Sequence, residues 1–202
     1  MLKITLPGFH DLSLRFQQFE TAVKSGNQQR IYESKHLIDF LFSQKNIVDQ
    51  YKQIKEDPDF KIRVTHHDTK ISNVLFDKNE KCICVIDLDT VMPGYFISDV
   101  GDMMRTYLSP ATEEETDLSK IIARKDFFDA IVEGYSAGMR DELTKKERGY
   151  FLYAGEFIIY MQALRFLTDH LTNDVYYGAK YVGHNFNRAA NQIELLKQLQ
   201  AF

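Results

Sequence analysis

From Thr65 to Asp102 the chain reads THHDTKISNVLFDKNEKCICVIDLDTVMPGYFISDVGD, and its chemistry-bearing residues crowd into this stretch. His66 and Asp68 follow a strand-like run, and Asn73 lies five residues beyond Asp68. An almost purely apolar run then ends abruptly in Asp87 and Asp89, and Asp99 and Asp102 open a helical pattern. Acids released from the end of an apolar strand, beside an Asp–Asn pair, suit a hard cation. Mg²⁺ takes a few carboxylate or amide oxygens and leaves its other positions to phosphate and water. Phosphoryl transfer needs one more carboxylate, which orients the attacking hydroxyl and accepts its proton. The stretch supplies each part once: Asp68 as base, Asn73 and Asp87 as metal ligands.

These residues need elements to hold them. Pro7-Gly8 predicts a turn, and Asp11 or Ser13 caps a helix carrying Leu14, Phe16 and Phe19 that Gly26-Asn27 breaks. Apolar residues recur at helical steps over 28–56, with an interruption near 43–46, and Pro58 ends that pattern. Residues 61–65, 73–76 and 81–89 are rich in β-branched and apolar types. The polar Asp77–Glu80 turn between the last two predicts a hairpin. Helices are predicted again over 98–108, 118–138, 144–172 and 185–200, with Gly134, Gly138 and Gly155 as interruptions and a break at Asn173-Asp174. The fold class expected is mainly α with a small β-hairpin in the middle.

The pattern His66-x-Asp68-x-x-x-x-Asn73, followed by a strand ending in Asp87, resembles that of the aminoglycoside phosphotransferase and choline kinase-like enzymes. The flanks VTHxDTKxxNVLFD, CVIDLDTVMPG, LRFLTDHL and DVYY...KYVGHN are similar to the N-acetylhexosamine 1-kinase branch, and the similarity runs from about Pro7 to the C-terminus. The resemblance implies the C-terminal lobe of a protein kinase-like fold, with 1–60 as its helical N-terminal segment and 61–202 as catalytic hairpin and helical core. It implies Asp68 as catalytic base, Asn73 and Asp87 as Mg²⁺ and ATP ligands, and His66 in a structural role. Asp89, Arg165 and Tyr176 become candidate contacts to a small sugar, the acceptor being an amino sugar. No Gly-rich β-lobe precedes Pro7, and 11–56 reads as helix. The expectation is therefore a chain with very weak or no kinase turnover that keeps metal and sugar binding, and that exposes apolar surface for an N-lobe polypeptide or a homodimer. A non-catalytic sugar-binding or regulatory kinase-lobe module is the alternative.

Plainer roles stand beside these. His66 reads as a core histidine bonded to backbone near the Asp87 turn. The doublet His67-Asp68 also occurs in metal-dependent phosphohydrolases, for which His10, His36, Asp126 and Asp129 are the further ligands available. Asp99 and Asp102 read as helix caps that brace the loop. Arg165 reads equally as a buried partner of Asp169 or Glu156. Glu113-Glu114-Glu115 reads as a solvated loop, and Cys82 and Cys84 as buried reduced thiols without the neighbours a zinc site needs.

The bulk of the chain narrows the classes. With 202 residues, 44% hydrophobic and 27% charged, it is long enough for a core without disulfides. A net charge of −4 and a pI near 5.9, with no basic run, argue against a nucleic-acid partner. No apolar stretch nears the ~20 residues of a membrane span, and MLKITLPGFHD lacks a signal peptide's apolar core. A cytoplasmic protein without membrane or nucleic-acid partners is expected.

Overall fold

The computed structural model describes residues 2–202; Met1 lies outside it. Helix α1 (Leu12–Ser25) starts where the Asp11 carboxylate accepts the Leu14 N–H at 3.1 Å, and it buries Leu12, Phe16, Phe19 and Ala22. Helices α2 (Gln28–Glu33), α3 (Lys35–Ser43) and α4 (Asn46–Glu56) replace the single long helix expected over 28–56. The chain bends at the fully buried Ser34 as well as at 44–45, so Leu37, Ile38 and Leu41 reach the same core as Ile47, Val48, Tyr51 and Ile54.

Two small antiparallel sheets follow. β1 (Arg63–Thr65) pairs with β4 (Met92–Gly94), Thr65 opposite Met92 and Arg63 opposite Gly94. β2 (Val74–Phe76) pairs with β3 (Cys82–Val85) as the hairpin expected, with a register irregularity between Leu75 and Phe76. The pairing of β1 with the Pro93-Gly94 segment was not legible, because that segment looks like a turn. It brings the start of the 66–73 loop alongside residues 90–99, nearly thirty positions later.

Helices α5 (Phe96–Tyr107), α6 (Lys125–Met139), α7 (Phe151–Leu171) and α8 (His184–Leu199) complete the chain. Helix α7 is the axis. It packs on α1, α4, α5 and α8, and is apolar around almost its whole circumference, as a helix enclosed on every side must be. It runs unbroken through Gly155, where an added Cβ would sit 2.8 Å from the Met104 sulfur. At Gly101 the backbone of α5 approaches that of α7 so closely that a Cβ would lie 2.2 Å from the Ala154 carbonyl oxygen. Gly134 and Gly138 likewise lie inside α6 without ending it. The buried apolar residues form one cluster from Leu12 to Leu199, and α5, docked on α7, carries the 66–73 loop against it. Among the described residues no helix is long and apolar enough to cross a membrane.

Candidate active site

After Thr65 the backbone turns sharply and His67 adopts a left-handed conformation at φ 66°. What holds it there is Asp99 on α5. Its two carboxylate oxygens accept the backbone N–H groups of His66 and His67, at 3.1 and 2.7 Å. Burial pushes the Asp99 carboxyl up from its ordinary pKa, and those two N–H bonds act against the rise. Thr69 Oγ1 donates to the Asp99 carbonyl at 2.7 Å, Tyr107 Oη to the Thr69 carbonyl at 2.6 Å, and Thr90 Oγ1 to the His66 carbonyl at 2.6 Å. Neither Asp99 nor Asp102 caps α5, whose N-cap is Tyr95. Asp99 reaches across to the loop, and Asp102 pairs with Arg105 at 3.0 Å.

The His67 ring lies beneath the loop in a chain of polar groups whose hydrogen directions follow from one another. Thr65 Oγ1 donates to the Met92 carbonyl at 3.1 Å, so it accepts from His67 Nε2 at 2.6 Å. His67 Nδ1 then accepts from Ser98 Oγ at 2.6 Å, and the Ser98 oxygen accepts from His10 Nδ1. Burial lowers His67 to about 4 and, with the charges of His67, Arg165, Arg105 and Arg15, holds His10 well below its ordinary value. Both imidazoles are neutral near pH 7. With both ring nitrogens committed, His67 has none left for a metal, which removes the phosphohydrolase arrangement.

Above this layer Asp68, Lys70, Asn73 and Asp87 meet. Asp68 Oδ2 accepts from Lys70 Nζ at 2.7 Å and from Asn73 Nδ2 at 2.9 Å, while Asn73 Nδ2 also donates to the Asp68 carbonyl at 2.8 Å. Asp68 Oδ1 and Asn73 Oδ1 take part in no hydrogen bond among the described residues. Asp87 follows β3 in a left-handed conformation (φ 63°, ψ 58°) that places its half-exposed carboxylate 4.0 Å from Lys70 Nζ. The Asp68 hydrogen bond raises the Lys70 pKa, so the ammonium remains charged between the two acids. His66 Nε2 sits 3.0 Å from the Ile86 carbonyl oxygen, one residue before Asp87, and so ties the loop to the end of β3.

The sequence pattern of the phosphotransferase enzyme family matches residues 5–140. The chain belongs to that family. Its members generally transfer phosphate from ATP with Mg²⁺. The matched segment contains every residue of the cluster just described, whereas Arg165 and Tyr176 lie beyond it.

The phosphotransferase cluster fits a magnesium ion on its donor chemistry. Asn73 offers an unengaged amide oxygen, Asp87 an open carboxylate, and the Lys70 ammonium already stands where positive charge is called for. No group of three or more His, Cys, Asp or Glu poised for a metal occurs among the described residues. A two-ligand site completed by phosphate and water is what such a donor set can hold.

The remaining candidates separate. Asp89 is exposed, and only its backbone carbonyl is engaged, by Thr5 Oγ1 at 3.3 Å. Arg165 meets neither Asp169 nor Glu156. Its guanidinium donates to Gln162 Oε1 and Tyr176 Oη, both at 3.3 Å, and lies within 6 Å of the Phe9, Tyr176 and Tyr177 rings. Tyr176 is 72% exposed. Cys82 and Cys84 are exposed rather than buried, because β2–β3 is only two strands and everything from Lys81 to Asp89 faces solvent. Glu113 and Glu114 are not a solvated run: Glu113 bridges Arg105 and Arg188, and Glu114 meets His184 and Lys180.

Sequence reasoning missed Lys70, Ser98 and Tyr107. Lys70 carried a usable signal, a lone cation two residues after the candidate base and in the midst of acids. Ser98 and Tyr107 carried none, since their roles depend on where α5 docks.

Proposed function

We propose that this phosphotransferase moves the γ-phosphoryl group of ATP to a hydroxyl of a small polar acceptor, an N-acetylhexosamine attacking through its anomeric hydroxyl. The observation that carries the reading is the asymmetry of Asp68: Oδ2 is held by Lys70 and Asn73, while Oδ1 is free to take a proton. The acceptor oxygen forms the new bond to phosphorus, the bond from the γ-phosphorus to the β–γ bridging oxygen breaks, and the hydroxyl proton passes to Asp68 Oδ1. Lys70 keeps positive charge at the position where the transferring group becomes most anionic. Asn73 and Asp87 would hold a magnesium ion, which would supply charge neutralisation for the nucleotide phosphates. Asp99, through His66 and His67, fixes the base before substrate arrives, which is where positioning gains rate.

In this reading Asp89, Arg165 and Tyr176 contact the acceptor, with Arg165 and Tyr176 presented on one wall by α7 and the loop that follows it. Residues 1–60 and 61–202 together act as the C-terminal lobe of a kinase-like enzyme. Exposed Ile62, Val64, Leu75, Phe76, Ile83 and Val85 support further polypeptide, an N-lobe or a second copy, covering the hairpin during turnover. The second reading is a sugar-binding module that does not catalyse, in which Arg165 and Tyr176 serve binding alone.

Calorimetric titration with N-acetylglucosamine and N-acetylgalactosamine, with and without Mg²⁺-ATP, tests the proposal alongside ³¹P NMR of the products. Sugar 1-phosphate formed by the wild type and not by Asp68→Asn supports the kinase reading. Sugar binding without product supports the module. Absence of binding to either sugar removes the amino-sugar acceptor.

A further inference from the structure

A cavity of about 480 Å³ opens between α1, the C-terminal half of α7 and the loop after it, a volume in the range of small-molecule sites. Its lining includes Arg15 and Thr21 from α1, Arg165 and Thr168 from α7, and Tyr176 and Tyr177 from the loop. The arginines elsewhere show what is unusual about it. Arg30, Arg63, Arg105 and Arg188, all partly buried, each meet a carboxylate. Arg124 serves the Leu108 and Tyr107 carbonyls, and Arg140 and Arg148 are exposed. Arg15 and Arg165 are partly buried, meet no carboxylate within 4.0 Å among the described residues, and share this one cavity.

Neutral acceptors hold them in place. Arg15 Nη2 donates to the Gly8 and Phe9 carbonyls at 3.0 and 3.2 Å, and its Nη1 donates to Gln18 at 3.0 Å. Arg165 uses Gln162 and Tyr176. Burial lowers the Arg15 pKa and the neighbouring Arg165 lowers it further, while Tyr176, Tyr177 and Asp11 act against the fall. Arg15 Nε and Thr168 Oγ1 are buried without a hydrogen-bond partner. The one acid in the lining, Asp169, has both oxygens committed to the Tyr176 and Tyr177 N–H groups and to Asn185. Two guanidiniums without an ion-pair partner, beside unpaired donors and under an aromatic wall, match a doubly charged oxyanion, with Asp169 the one negative charge in the lining.

We infer that the α1–α7 cavity binds a phosphate dianion, either free or carried by a small molecule, with Arg15 and Arg165 as its two ligands. If the phosphate belongs to the acceptor, the inference rests on the acceptor reading of Arg165 and Tyr176 above, and the enzyme's substrate is a sugar phosphate rather than a neutral sugar.

Calorimetric titration of the full chain with inorganic phosphate, N-acetylglucosamine and N-acetylglucosamine 6-phosphate separates the cases. At least one phosphate-bearing ligand is expected to bind, with affinity falling at least tenfold in Arg165→Gln and only a few-fold in Arg165→Lys, which keeps the charge. Arg15→Gln is expected to behave as Arg165→Gln does. Because Arg15 also holds the Gly8 and Phe9 carbonyls, its variant counts only if it unfolds at the wild-type temperature, and the Arg165 pair carries the test otherwise. Sugar phosphate binding tighter than both inorganic phosphate and neutral sugar places the anion on the acceptor. Inorganic phosphate binding equally well, with sugar contributing nothing, keeps this site and removes the acceptor reading. Binding of the neutral sugar alone, or phosphate binding unchanged in Arg165→Gln, overturns the inference and leaves the kinase reading intact.

Discussion

The Asp99 carboxylate accepts the His67 backbone N–H at 2.7 Å across thirty-two positions of sequence, and its second oxygen takes the N–H of His66. A buried helix side chain thereby sets the backbone that delivers Asp68. Replacing Asp99 by Asn exchanges one acceptor oxygen for a donor that faces an N–H. The expected cost is about 1–3 kcal/mol of folding stability, the scale for a buried donor left without its acceptor. Urea denaturation measures it. The turnover number is expected to fall by more than nucleotide affinity does, since Asp99 acts on the loop that carries the candidate base.

Lys70 stands 2.7 Å from Asp68 and 4.0 Å from Asp87. Removing its charge in Lys70→Met has two opposite consequences. Phosphoryl transfer is expected to fall by about 10²–10³, the range for losing one preorganised charge-stabilising group. Mg²⁺ binding in the absence of nucleotide is expected to strengthen. At a separation on the order of 4 Å in a well-solvated site, an ammonium and a divalent cation repel by about 2 kcal/mol, roughly thirtyfold in affinity. Titration with Mn²⁺ as a paramagnetic probe reads that directly, and a weaker metal affinity in the variant would contradict the placement of the cation.

Gly94 faces the His67 ring from β4. A Cβ there would lie 2.4 Å from both His67 Cε1 and Thr65 Oγ1, inside the pair that fixes the ring's tautomer. Gly94→Ala is expected to destabilise by about 1–3 kcal/mol, the cost of overpacking a filled interior. The His67 Nε2–H resonance, protected by Thr65 in the wild type, should broaden or shift in the ¹⁵N-edited spectrum. A variant with wild-type stability and an unchanged resonance would mean that β4 yields freely at this point.

Much of this site was legible because it is local. His66 to Asn73 spans eight residues, and the hairpin that returns Asp87 beside them is read from its apolar runs and polar turn. What stayed hidden depends on long-range docking. The β1–β4 pairing joins a strand to a Pro-Gly segment that has the composition of a turn. The Cys82–Val85 run is apolar yet exposed, since apolar composition fixes a strand's preference and not what lies on it. The acidic triplet 113–115 looked solvated because its cationic partners, Arg105 and Arg188, are distant in sequence and brought together only when α5 and α8 pack on α7.

That triplet gives its own test. Glu113 accepts from Arg105 at 2.7 Å and also from Arg188, two guanidiniums each about nine-tenths buried. Glu113→Gln replaces the carboxylate they share by one neutral acceptor, leaving Arg105 with Asp102 at 3.0 Å and Arg188 with Glu114 at 3.5 Å. Breaking a fully buried ion pair costs about 3–5 kcal/mol, and partial exposure of Glu113 screens this to about 2 kcal/mol. Thermal unfolding measures it. Since Asp102 still pairs with Arg105, the double variant Glu113→Gln, Asp102→Asn is expected to lose more than the sum of the two singles.

The buried imidazoles make stability depend on pH with a definite sign. His67 titrates at about 4 in the folded chain and near 6.5 when unfolded. Between those values the unfolded chain binds a proton that the folded one refuses, so stability is complete above about pH 6.5 and declines as pH falls toward 4. His10, held well below its ordinary value chiefly by burial, acts in the same direction. Asp99 and Asp102, raised by burial, work the opposite way, since the folded carboxyls accept protons before the unfolded ones do. The histidine window opens just below pH 6.5, and His170, also lowered by burial, contributes there in the same direction while the two raised carboxyls oppose it. There the expected loss approaches about 1 kcal/mol per pH unit for each histidine kept neutral. Urea midpoints at pH 7.0, 6.0 and 5.5 measure the slope, and His10→Gln should reduce it. A wild-type midpoint that is flat or rises over this interval would show that the His10–Ser98–His67 chain opens and admits the proton.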